Sequence, residues 1–171
     1  MAGSIPNTLP EDIYEKILAS LESKGIRVVV DATKDLLLNV LKYHPFLIKP
    51  NNHELGEMFG TVCKTDEDIV HYAKKLQEKG AVNVLISMAG DGAILITEDG
   101  QNIKMGTPKG KVVNSVGAGD SMVAGFITGY IRGGNYEEAL KSGTAAGSAT
   151  AFSEGLASLE MYEKMLKQIT E

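Results

Sequence analysis

The stretch Asn114–Gly125 reads NSVGAGDSMVAG, with three small residues, Gly117, Ala118 and Gly119, set directly before a lone carboxylate, Asp120. Ahead of it the β-branched run "KVVNSV" (111–116) predicts a strand. Behind it Met122, Val123, Phe126, Ile127 and Tyr130 recur at helical spacing, which predicts a helix over 121–131. A strand that turns into a helix through residues without bulk leaves backbone N–H groups bare at the helix N-terminus. Those donors and the helix dipole together attract an anion, and small side chains let a phosphate or a developing oxyanion come close. Asp120 beside such a pocket is placed to accept a proton from a substrate hydroxyl. A plainer reading stands next to this one. Asp120 caps its own helix after a glycine-rich loop, and spacing alone does not choose between the two.

Working outward, the rest of the chain alternates in the same way. Pro10-Glu11-Asp12 opens a helix whose apolar stripe, Ile13, Ile17, Leu18 and Leu21, ends at Gly25. "IRVVVDAT" (26–33) shows no alternation, the mark of a strand buried on both faces. A second helix is predicted over 36–41 and a strand in "PFLIKPN" (45–51). Asn51 then caps "HELGEMF", with Glu54 placed to complete a capping box. Asp66 to Glu78 forms an amphipathic helix on Ile69, Val70, Ala73 and Leu76. "AVNVLISM" (81–88) and "GAILIT" (92–97) are strands joined by the turn Gly90-Asp91-Gly92, "EDGQ" (98–101) is a hairpin turn, and helices follow around 136–152 and 159–169. Strand alternating with helix predicts an α/β fold with a mostly parallel sheet, helices on both faces and ligands at the carboxyl ends of the strands. The turn signals at Ile5-Pro6-Asn7 and Leu9-Pro10 read as the exit from a strand, so the chain is expected to start inside a larger domain.

Composition narrows the partners. A chain of 171 residues can bury one good-sized core. Its net charge of −5, with Arg27 and Arg132 the only arginines, argues against a nucleic-acid or anionic-membrane surface. No apolar run approaches a membrane span and no basic-then-apolar export signal opens the chain, so a cytoplasmic protein is expected. The single cysteine, Cys63, excludes an internal disulfide and reads as a semi-buried bystander. The glycine-rich loop is not a P-loop, which needs Lys and a hydroxyl residue after its last glycine. It also departs from the dinucleotide fingerprint, with Met122 where Gly or Ala belongs.

Taken as a whole, "NSVGAGDSMVAGFI" resembles, position by position, the second signature of the phosphofructokinase B family of ribokinase-like sugar kinases. "IKPNNHEL" is similar to the family's Asn-x-x-Glu motif, here Asn51 and Glu54, preceded by Lys49. "ISMAGDGA" resembles its Ser-Leu-Gly-x-x-Gly strand-turn, with Met88 and Ala89 where Leu and Gly are commoner. "GSIP" near the start and "GTAAGSATAFSEG" late in the chain resemble, respectively, a substrate-side strand exit and a helix bordering adenine and a monovalent cation. The resemblance covers nearly all of the chain but only the C-terminal half or so of the family, and within it the phosphosugar kinases are the most similar.

The resemblance implies a ribokinase-like three-layer αβα fold with the N-terminal part and its lid missing. Residues 1–171 would then be the nucleotide-binding and catalytic C-terminal portion of a single domain. It implies ATP and Mg²⁺ as cofactors, with K⁺ as a further candidate, and a phosphosugar substrate in a protein that is a homodimer at full length. By the same carry-over Asp120 is the base and a substrate contact, and the amides of Gly117, Ala118 and Gly119 form the anion hole. Lys49 neutralises nucleotide phosphate, its alternative being a solvated strand-end lysine. Asn51 and Glu54 organise Mg²⁺ through its waters, a role compatible with a capping box. Ser87, Met88, Ala89, Gly90, Asp91 and Gly92 wrap the nucleotide, or make a simple turn. Thr144 and Ser148 border it, or serve close helix packing. Backbone carbonyls of Asn114, Val116, Thr150, Ser153, Gly155 and Ala157 are the candidate monovalent-cation ligands, and Ser4 is a candidate substrate contact. His44, His53 and His71 match no catalytic position. Without the half that holds most sugar contacts, the segment is expected to be a poor catalyst and to leave one sheet edge bare.

Overall fold

The computed structural model describes the chain except residues 4, 7, 33 and 171 and the side chains of residues 34 and 170. In chain order the elements are α1 (Ile13–Leu21), β1 (Val29–Val30), α2 (Lys34–Val40), β2 (Leu47–Ile48), α3 (Asn52–Met58), α4 (Asp66–Glu78), β3 (Asn83–Ser87), β4 (Ala93–Ile96), β5 (Asn102–Met105), α5 (Ala118–Gly133), α6 (Tyr136–Ala151) and α7 (Leu159–Thr170). The strands form one sheet in the order β1-β2-β3-β4-β5. Val29 pairs with Leu47 and Leu47 with Asn83 in parallel ladders, and an isolated parallel bridge joins Ala2 to Asp31. The connections Met88–Gly92 and Thr97–Gln101 are too short for crossovers, so they reverse the chain and make the sheet mixed. Two ladders are parallel and two pairs of neighbours are joined by reversals, and the isolated bridge adds a third parallel pairing.

The chain divides into two compact units, Met1–Ile86 with Ile94–Asn102, and Ser87–Ala93 with Ile103–Glu171. In the first unit part of each apolar stripe read from the sequence becomes core, while Ile13, Leu21 and Val70 are half-buried and Ile17 is exposed. Ile69, Ala73 and Leu76 of α4 are buried, as are Leu18 of α1 and Leu47 and Ile48 of β2. Helix α1 runs on through a short 3₁₀ turn to Gly25, whose φ of 64° lets the chain leave in the left-handed conformation that other residues resist. Both helices after β2 begin at capping boxes, Asn51 with Glu54 and Thr65 with Asp68. Four consecutive residues of β4 are buried, the continuous burial of an inner strand.

Two strand expectations change. "IRVVVDAT" contributes only Val29 and Val30 to a strand; Val30 is buried, whereas Ile26 is 54% exposed. β1 lies at the end of the sheet order, with β2 as its one full ladder, so less of it is covered than of an inner strand. "KVVNSV" is not a strand. Val112, Val113 and Val116 are exposed, and the amides of Val113 and Asn114 donate to the carbonyl of Ala151, where a strand would direct them into a ladder. The strand after the hairpin is Asn102–Met105, whose alternating exposure is that of a half-covered strand.

In the second unit α5 and α6 approach closely because their facing positions lack side chains. A Cβ on Gly125 would lie 2.6 Å from the Ser142 carbonyl oxygen, and one on Gly143 would lie 2.9 Å from that of Met122. Phe126 fills the remaining space and is fully buried. Helix α7 closes on α6 through a cluster around Ala145, Ala149 and Met165, and through a 3.0 Å hydrogen bond between the Ser142 and Tyr162 hydroxyls. Gly125→Val therefore overpacks a backbone-limited contact. The expected loss is about 1–3 kcal/mol of unfolding free energy, read from the urea midpoint.

Candidate active site

The N-terminus of α5 is built by Gly117, the N-cap, at φ 80° and ψ −4°. A residue with a Cβ is strained there, and its Cβ would meet Leu156 at 3.4 Å. The first helical bond runs from the Ser121 amide to the Gly117 carbonyl at 2.9 Å, while the Ala118 amide donates to the Ser115 carbonyl at 3.2 Å. Among the described residues, no protein acceptor meets the amides of Gly117, Gly119 and Asp120. The open donors are therefore Gly117, Gly119 and Asp120, with the Ala118 amide engaged locally. Asp120 lies inside the first turn, where its charge complements the helix dipole, and is exposed. No side chain caps α5, so Asp120 does not serve as its own helix cap.

Two segments beside this turn carry the candidate cation ligands. Asn114 ties them together: its Oδ1 accepts from the Val116 amide at 3.0 Å, and its Nδ2 donates to the Glu154 carbonyl at 3.1 Å. Among the described residues the carbonyls of Asn114, Val116, Ser153, Gly155 and Ala157 accept no hydrogen bond, whereas that of Thr150 takes the Ser153 amide. Uncommitted backbone oxygens are the donor set a monovalent cation needs when it sheds water, so these residues fit such an ion.

The turn between β3 and β4 is a single 3₁₀ turn, Ala89–Asp91, closed by the Met88 amide donating to the Gly92 carbonyl at 2.8 Å. The Thr107 hydroxyl donates to the Gly90 carbonyl at 2.7 Å. Ala89, Gly90 and Asp91 are exposed and available to a ligand. Met88 is buried at 6% exposure, a core side chain, so at that position only the backbone can serve a nucleotide. Ala89 sits at φ 49°, in the left-handed region that costs an L-residue about 1–2 kcal/mol. Ala89→Gly relieves that strain against a smaller entropic loss. A net gain of about 0.5–1 kcal/mol is expected, visible as a raised Tm.

On α6, Thr144 is fully buried and Ser148 is 6% exposed. Burial favours the packing reading for both, since neither hydroxyl is presented on an open face. The Thr144 Oγ1 has no hydrogen-bond partner among the described residues.

In the first unit Lys49 follows β2 and is 7% exposed, so it is not a solvated strand-end lysine. Its Nζ lies 3.3 Å from Asp31 Oδ2. Asp31 was absent from the sequence candidates, although a carboxylate just past a strand's carboxyl end was the available signal. The capping box uses part of the Asn51–Glu54 pair. Asn51 Oδ1 accepts the amides of His53 and Glu54 at 2.9 Å each, and Glu54 Oε2 accepts the Asn51 amide at 2.8 Å. Glu54 keeps its other oxygen, and a hydrated Mg²⁺ asks no more than hydrogen bonds to its waters, so the pair fits that ion. Ser4 lies outside the described residues. Cys63 is buried, and desolvation followed by the nearby Asp68 charge pushes its thiol pKa up, which makes it a poor nucleophile. Among the described residues no helix is long and apolar enough to cross a membrane.

An α/β fold with an open helix N-terminus at a glycine loop and an exposed carboxylate beside it is an arrangement suited to a phosphate group. The family model described as "pfkB family carbohydrate kinase" matches residues 1–161, and the chain belongs to that family. It is 50% identical over 169 residues to a 1-phosphofructokinase of Bacillus subtilis (strain 168), covering 99% of this chain and 55% of that protein. A D-tagatose-1-phosphate kinase of Bacillus licheniformis is 38% identical over 170 residues, with 99% and 56% covered. The structure of phosphofructokinase-2 from Escherichia coli in complex with substrates and products superposes with a TM-score of 0.91 at 27% identity, over 99% of this chain and 56% of that one, and the same protein has been solved in complex with potassium. For the fold alone, an Arabidopsis thaliana ribokinase matches with a TM-score of 0.81 at 24% identity, over 94% of this chain and 54% of that one. The fold is ribokinase-like, and the chain spans about half the length of the curated relatives it matches.

Proposed function

We propose that this chain is the nucleotide-binding and catalytic portion of an ATP-dependent phosphosugar kinase, and specifically of a 1-phosphofructokinase that converts fructose 1-phosphate to fructose 1,6-bisphosphate. The observation that carries the reading is the first turn of α5, where three uncommitted amides and the exposed Asp120 share one turn. The 50% identity to a protein named 1-phosphofructokinase supports the choice of substrate. Bound MgATP supplies the phosphoryl group. Asp120 accepts the proton of the sugar hydroxyl as its oxygen forms a bond to the γ-phosphorus; the bond from that phosphorus to the β–γ bridging oxygen breaks, and ADP departs. The amides of Gly117, Gly119 and Asp120 hold the charge that grows on the transferring group. Lys49, whose charge is paired with Asp31, would add a positive charge toward nucleotide phosphate, and Glu54 with Asn51 would hold a hydrated Mg²⁺ through its waters. The uncommitted carbonyls of Asn114, Val116, Ser153, Gly155 and Ala157 would hold K⁺. The same reading makes the full-length protein a cytoplasmic homodimer.

The test is an ATP-dependent kinase assay of the full-length protein over fructose 1-phosphate, fructose 6-phosphate, tagatose 6-phosphate and tagatose 1-phosphate. Highest kcat/KM on fructose 1-phosphate is expected. A preference for either tagatose phosphate would replace the substrate but keep the class. Nucleotide binding with no transfer to any of the four would make the chain a non-catalytic remnant of the fold.

A further inference from the structure

Asp120 has no protein partner among the described residues, so what the fold fixes is the backbone of the first turn of α5, and with it the direction in which the side chain leaves the helix. Besides Leu156, a second side chain that meets this turn is Thr150, near the end of α6 and 1% exposed. Its hydroxyl donates to Ser121 Oγ at 2.8 Å and accepts the Ala157 amide at 3.4 Å. Its methyl Cγ2 lies 3.9 Å from the point a Cβ on Gly117 would occupy. A threonine within a helix ordinarily turns its hydroxyl back to a carbonyl of the preceding turn. Here that bond is given up for one to another helix. The two branches of one side chain thus face the two ends of the first turn, the methyl toward Gly117, which carries the first of the open amides, and the hydroxyl toward Ser121, which follows the last.

We propose that Thr150 is a positioning residue for phosphoryl transfer, acting through Ser121 to hold the first turn of α5, and with it Asp120, in place. The inference rests on reading Asp120 as the base. Threonine suits the task because valine keeps the methyl and loses the hydroxyl, while serine does the reverse. A turn left free to shift by about an ångström misplaces the base without removing a substrate contact, so the loss falls on kcat rather than KM.

The experiment compares Thr150→Val, Ser121→Ala, their double variant and Thr150→Ser in the kinase assay, alongside amide hydrogen exchange. Thr150→Val and Ser121→Ala are each expected to lower kcat about ten-fold with both KM values within about two-fold, and the double variant to be no worse than either. Thr150→Ser, which retains the hydroxyl, should stay within about three-fold of wild type. Exchange at the Ser121 amide should speed up about ten-fold in Thr150→Val and not in Thr150→Ser. Wild-type kcat in Ser121→Ala, multiplicative losses in the double variant, or equal losses in Thr150→Val and Thr150→Ser would each overturn the proposal. Ser121 is only half-buried, so its variant remains informative if Thr150→Val fails to fold. Full activity in Asp120→Asn would remove the base reading, while the exchange rates still report on the Thr150–Ser121 link.

Discussion

Asp120→Asn is expected to lower kcat by about 10²–10⁴-fold, with the KM values for nucleotide and sugar phosphate near those of the wild type. The amide has the shape of the carboxylate but cannot take up the hydroxyl proton, so the loss belongs to the chemical step. Folding is not a competing explanation. Asp120 is exposed and carries no hydrogen bond or ion pair to the described residues, so its replacement should cost no more than the lost dipole interaction, about 1 kcal/mol or less. Initial rates and a melting curve on one preparation check both halves of the statement. Undiminished kcat would refute the assignment of Asp120 as base, and a large fall in Tm would refute the claim that its role is purely chemical.

Gly92→Ala should be the most damaging small substitution in the turn between β3 and β4. Gly92 adopts φ 93° and ψ −135°, a conformation open in practice only to glycine, and a Cβ there would stand 2.0 Å from the Met105 carbonyl oxygen. The obstacle is backbone in a strand, which cannot move aside as a flexible side chain would. The expected loss is about 3–5 kcal/mol, measured by urea denaturation. Two residues earlier, Gly90 has nothing within 4 Å of its Cβ position, and Gly90→Ala should be neutral to about 0.5 kcal/mol. Comparable stability for the two variants would show that the turn is not held as described.

Elements defined by local interactions were legible in advance. Asp66–Glu78 has the bounds that its stripe and capping residues indicate, and the Asn51–Glu54 box forms as its spacing requires. Such features close within one helical turn, so four residues hold the information needed. Strands were read less well, because a run of β-branched residues says nothing about whether a partner lies beside it. "KVVNSV" has the composition of a strand, yet its amides turn to Ala151, and "IRVVVDAT" shrinks to two residues beside a single full ladder.

The site divides along the same line. Sequence alone determined that small residues precede Asp120 at a helix start, because glycine's freedom at φ 80° and a carboxylate's attraction to a helix N-terminus are local properties. Only tertiary structure decided which amides stay open, that Lys49 is buried against Asp31, and that Thr144 is packed away. It also decided that the turn bearing Asp120 is held by a hydroxyl 29 residues further along the chain. Each of these depends on what distant segments place at a given point, and burial and pairing across such separations leave no periodicity in the chain for a reader to find.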